Sequence, residues 1–63
     1  MFDKKLWFGE FYELLAIAKR DNVSKDSFAY EVIVDLQKRY ATNCDQGDPT
    51  PKKMLQDLNA TFS

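Results

Sequence analysis

Cys44 carries the only thiol of this chain, and none of its 63 residues is a histidine that could take the thiol proton. Nucleophilic catalysis needs a base beside the nucleophile. Cys44 therefore reads as a small residue closing the apolar stripe of a helix. One cysteine excludes an intrachain disulfide, and a zinc site would rest on Cys44 with carboxylates alone, a poor ligand set. Carboxylate pairs occur at Glu10 with Glu13 and at Glu31 with Asp35. Each pair falls on the polar face of an amphipathic segment, where solvated charge is the expectation. Asp45-Gln46-Gly47-Asp48 puts glycine in an acidic turn but lacks the alternating ligands and closing glutamate of a calcium loop. No phosphate-cradling glycine motif is present. These residues predict no catalytic centre, no metal and no cofactor.

Composition places the chain among globular proteins: 44% of residues are hydrophobic, 30% charged and 14% aromatic, with two glycines and two prolines. The length leaves room for one helical domain over residues 1–63. A core this small rarely supplies more than ~3–5 kcal/mol, so self-association or a partner is expected to add stability. Nine lysines and arginines against ten acids give a net charge of −1. That balance argues against a nucleic-acid partner, which calls for a basic excess. No apolar run approaches the ~20 residues that span a bilayer. The charged residues within Met1–Glu10 leave no signal-peptide core, and a single cysteine suits a reducing compartment. The expected location is cytoplasmic.

Two breaks divide the chain: Arg20-Asp21-Asn22-Val23-Ser24, and the stretch 43–51 with Gly47, Pro49 and Pro51. The first segment predicts a helix over 3–20, capped by Asp3. At 100° per residue, Leu14, Trp7, Ala18, Phe11, Leu15, Phe8 and Tyr12 span an arc of roughly 160°. Leu6 and Ile17 fall outside it, among Glu10 and Glu13. The second segment predicts a helix over 25–43, opening at Ser24 or Ser27, with Phe28, Val32, Leu36, Ala29, Tyr40 and Ile33 as its stripe. Alternation of Phe28, Tyr30, Val32 and Val34 offers a strand instead, but it fails at Asp35-Leu36-Gln37-Lys38-Arg39. Asp35 precedes Arg39 by four residues, the favourable order for an ion pair. Thr50 as cap and Pro51 at the first helical position open a third helix over 51–61, with Met54, Leu55, Leu58 and Phe62 inward. The predicted fold is all-α, a small three-helix bundle.

Residues 18–28 resemble the turn of helix-turn-helix DNA readers. In that motif a small residue is followed four positions later by glycine, then by an apolar residue, a cap and the recognition helix. Ala18, Asn22, Val23, Ser24 and Phe28 match, with asparagine in the place where φ is positive. The resemblance implies a DNA-binding transcription regulator. Two residues depart from it: Asp21 stands where an apolar residue belongs, and Glu31 where the recognition helix packs inward. Asp26 and Glu31 would also repel phosphate.

The apolar arc of the first helix is wider than one neighbour covers, and it is rich in Trp7, Phe8, Phe11 and Tyr12, with Phe2 close by. Exposed aromatic surface of this kind has the composition of an interface hot spot. Leu6, Trp7, Phe11, Tyr12, Leu14 and Ile17 are the expected partner-binding residues. The partner is a protein or a second copy of the chain, with no membrane role, since Glu10 and Glu13 stand where a membrane-surface helix needs lysines. The reading is a non-enzymatic protein-binding module, a small regulator or inhibitor that occludes its partner; the alternative is the DNA-binding regulator. By analogy alone, small acidic chains of this build suit accessory proteins of phages and mobile elements.

Overall fold

The structure, a computed structural model, describes residues 3–62. They form three helices, α1 (Lys4–Arg20), α2 (Phe28–Thr42) and α3 (Thr50–Thr61), packed as a small all-α bundle. Among the described residues there is no strand, so residues 28–34 lie in α2. Phe2 lies outside the described residues.

Local chemistry sets each boundary. Asp3 caps α1, its carboxylate accepting from the Leu6 N–H at 3.1 Å. At the other end Asn22 adopts φ 53°, and the Val23 N–H donates to the Ala18 carbonyl at 3.0 Å. This is the Schellman closure, in which a left-handed residue lets the chain turn back and an apolar residue follows it inward. Val23 packs against the core accordingly.

The second helix opens at Phe28 and not at 25, because the two candidate serines take different roles. Ser27 caps it, accepting from the Tyr30 N–H at 3.2 Å. Ser24 is spent on the preceding turn: its hydroxyl accepts from the Asp26 N–H at 3.0 Å, and its carbonyl accepts from the Ser27 hydroxyl at 2.6 Å. The third helix also departs from expectation at its start. Thr50 is its first residue and Pro49 its cap. The Thr50 N–H donates to Asp48 Oδ1 at 2.9 Å, and this bond holds the Asp48 carboxyl below the usual carboxylate range.

α1 and α2 run antiparallel, bringing Tyr40 beside Phe8 with ring centroids 6.4 Å apart. Phe11, Leu15 and Ala18 of α1 meet Ile33 and Tyr40 of α2, and Met54 and Leu58 of α3 close the core with Phe62. Tyr30 meets Phe62 edge to face at 4.7 Å. Gln37, a polar residue absent from the predicted stripe, is buried as well. Its side-chain amide donates to the Pro51 carbonyl at 2.9 Å and ties α2 to the first turn of α3. The expected ion pair forms, Arg39 Nε to Asp35 Oδ2 at 2.7 Å. Both side chains are exposed, so it contributes only ~0.3–0.5 kcal/mol.

Three large apolar residues expected to face inward are exposed, and the small Ala29 of the α2 stripe is exposed with them. Phe8 lies over Tyr12 with ring centroids 4.8 Å apart and turns its other side to solvent. Leu55 lies at the edge of the α3 stripe beyond Leu58. Phe28 is 79% exposed. At 100° per residue it sits roughly 140° around the helix from Ile33, since the packing of α3 against Tyr30 and Gln37 turns the buried face of α2 the other way.

Candidate functional site

A band of apolar surface follows the seam between α1 and α2, on the side away from α3. Three adjoining depressions make it up. Leu6, Trp7, Glu10 and Leu36 surround the first, about 260 Å³ in volume. Trp7 and Leu36 continue into the second, where Phe28 and Val32 join them below Glu31 and Arg39. Val32 continues into the third, bounded by Leu14, Ile17 and Val23. Leu6 is 63% exposed, and Ile17 and Phe28 are exposed too, so the band is continuous with the solvent surface along its length.

The spacing of α1 explains the band. Phe11 points at the centre of the bundle. Trp7 and Leu14 lie to one side of that direction and are half-buried against α2. Leu6, Glu10 and Ile17 lie further round the same side, where α2 no longer reaches. From α2, Leu36 and Val32 face Trp7 across the seam, and Phe28 stands at its outer edge.

The six residues expected to bind a partner divide into three groups. Leu6, Trp7, Leu14 and Ile17 share the seam. Phe11 has no exposed surface; it supports the seam from beneath and presents nothing to a partner. Tyr12 lies on the opposite flank of α1, in a groove of about 360 Å³ shared with Asp57 and Thr61 of α3. The tyrosine hydroxyl donates to Asp57 Oδ2 at 2.5 Å, and Lys53 Nζ approaches the same oxygen at 3.3 Å. That groove is crossed by its own hydrogen bond, whereas the floor of the seam between α1 and α2 is apolar, with charged side chains only at its edges. Phe28, Val32 and Leu36 belong to the seam and were not foreseen as site residues. The signal for them was the second stripe itself, whose outer edge has no third helix to cover it.

Burial pushes the Tyr12 phenol up from 10.0 to about 12, and the hydrogen bond to Asp57 and its negative charge add to the rise. The same hydrogen bond, with the nearby Lys53, holds Asp57 below the ordinary carboxylate range. The folded state thus favours a neutral phenol beside an ionised carboxylate. The stability that Tyr12 contributes is complete below pH ~10, where the unfolded phenol is protonated, and is lost as pH rises through the folded value near 12. The Asp57 contribution is complete above about pH 4, the ordinary aspartate range, and is lost as pH falls through its lowered folded value. Urea midpoints measured across pH should therefore fall at both ends. Tyr12→Phe should weaken both limbs. It leaves on the alkaline side the share of Tyr40, whose phenol burial also raises, and on the acid side those of Asp48 and of the Lys53–Asp57 contact. An unchanged alkaline limb in Tyr12→Phe would show that this bond does not link stability to pH.

Among the described residues, no group of three or more Cys, Asp or Glu side chains is placed to hold a metal ion. Cys44 is half-buried beside Tyr40, two residues past the last residue of α2 and not within its stripe. No helix among the described residues is long and apolar enough to cross a membrane. The connection between α1 and α2 occupies residues 21–27, longer than the 3–4-residue turn of helix-turn-helix readers. No protein-family model, curated protein or solved structure matches this chain.

Proposed function

We propose that this chain is a non-enzymatic protein-binding module, a small cytoplasmic regulator or inhibitor that acts by occluding the surface of another protein. The observation that supports this reading is the apolar seam between α1 and α2, with Trp7 set in it and Leu6 and Phe28 standing out of it. Soluble monomers rarely expose continuous apolar surface without using it. A few residues, with Trp, Tyr and Arg prominent among them, carry most of the energy of protein recognition once a partner desolvates them. The net charge of −1 and the carboxylates beside the seam favour a protein over a nucleic acid.

Leu6 and Phe28 separate binding from folding better than Trp7 does. Trp7 packs against the core, so its truncation removes stability and interface together. Phe28 is the first residue of α2 and Leu6 lies in the first turn of α1; both are exposed. The double variant Leu6→Ser/Phe28→Ser removes apolar surface without adding charge. Its far-UV circular dichroism should match the parent, with stability changed by no more than ~1 kcal/mol. Proteins captured from source-cell lysate by the parent should be lost by the variant, in line with hot-spot truncations that cost ~2 kcal/mol or more. Capture of the same proteins by parent and folded variant would refute the seam as the binding surface.

A further inference from the structure

We propose that the occupant of the seam is a basic amphipathic helix of the partner, an apolar stripe flanked by lysine or arginine, and not a second copy of this chain. The inference rests on the protein-binding reading above and adds the chemistry of what is bound. The seam has the form of a furrow between two antiparallel helices. A third helix fills such a furrow by laying residues at i, i+3, i+4 and i+7 into successive depressions. Leu36 and Val32 form the floor beside Trp7, while Leu6 and Phe28 rise at the sides.

Charge chooses among the helices that could lie there. On the α1 side Glu10 borders the first depression. On the α2 side stand Glu31 and Asp35, with Arg39 already held by Asp35 at 2.7 Å. Among the described residues, the side chains of Glu10 and Glu31 make no ion pair or hydrogen bond. Lys19 borders another depression, and Lys38 stands on the far side of Glu31 and Asp35, in a depression that those two also line. Each side of the furrow thus carries a carboxylate without an ion-pair partner, Glu10 on α1 and Glu31 on α2. In a two-fold dimer the same surface meets itself, and either way of pairing the edges sets carboxylate against carboxylate. A helix with lysines beside its apolar stripe meets both edges with opposite charge.

The test is a displayed library of helical peptides with a fixed leucine stripe and flanking positions drawn from lysine, glutamate and serine, selected at low salt. Lysine should be enriched over glutamate at the flanking positions by about tenfold, the product of a few exposed charge pairs. Glu10→Gln/Glu31→Gln, both at exposed positions, should abolish that preference while retaining peptide binding. Leu6→Ser/Phe28→Ser should recover no peptide. Equal enrichment of lysine and glutamate, with binding still blocked in Leu6→Ser/Phe28→Ser, would overturn the basic occupant and leave the protein-binding reading standing. Recovery of no peptide by the parent would overturn the helical occupant. A dimer of the parent in sedimentation equilibrium, dissolved by Leu6→Ser/Phe28→Ser, would make the occupant a second copy and overturn the inference alone. Peptides selected equally by the parent and Leu6→Ser/Phe28→Ser would overturn inference and protein-binding site together.

Discussion

Phe11→Ala should leave a chain that is largely unfolded at 25 °C. Phe11 has no exposed surface and is among the largest fully buried side chains, with its ring edge-on to Tyr12 at 5.0 Å. Truncating a buried phenylalanine costs ~3–5 kcal/mol, because the apolar transfer is lost and the cavity only partly collapses. A domain of this length holds about that much stability in total. Far-UV circular dichroism should lose most of its helical signal, and thermal unfolding should flatten into a slope without a midpoint. A variant that still melts cooperatively within a few degrees of the parent would mean that the three helices do not converge on Phe11.

The second large effect is expected in α3. Its 12 residues are too few for a helix to persist alone in water, so it depends on what it buries. Leu58 is 1% exposed, and Met54 and Phe62 flank it in the core. Leu58→Ala should cost ~2–5 kcal/mol, and the amides of α3 should exchange with solvent before those of α1 and α2. Leu55→Ala, three residues earlier on the same helix but exposed, should change stability by less than ~0.5 kcal/mol. Equal losses from the two substitutions would show that α3 is not docked by the face containing Leu58.

Much of this architecture was legible in residue order, and the exceptions have identifiable causes. Periodicity located all three helices. The Asp3 cap, the left-handed Asn22 and the Asp35–Arg39 pair follow from side-chain chemistry within a few residues. The start of α2 does not, because Ser24 and Ser27 are equally good caps in isolation. Only the turn bonds around Ser24 decide between them. The opening of α3 was misplaced for a similar reason: Asp48, two residues before Thr50, supplies the acceptor that threonine was expected to provide.

The candidate site was half legible. A helical wheel gives the angle of each side chain about its own axis, but not which neighbour stands opposite. It therefore placed Trp7 and Tyr12 on one apolar arc, although they border different grooves on opposite flanks of α1. It likewise left Phe28 inside a stripe whose buried centre is displaced towards Gln37 by the packing of α3. Phe11 had the composition of a contact residue and the position of a core residue. Position about the bundle axis, which no single-helix pattern contains, decides between the two.

The Tyr12–Asp57 hydrogen bond joins residues 45 apart in the chain, whereas the bonds of Ser24, Ser27 and Asp48 span two or three residues. That difference has a kinetic meaning. Turn and helix contacts form within about a microsecond, but the tyrosine and aspartate meet only when the last helix has come back across the first. If α3 docks after the folding barrier, the stability this bond contributes slows unfolding instead of hastening folding. Tyr12→Phe should then raise the unfolding rate while leaving the folding rate unchanged. By the same logic, loss of the Ser27 cap or of Asp48 is expected to slow folding if the turns they close form early.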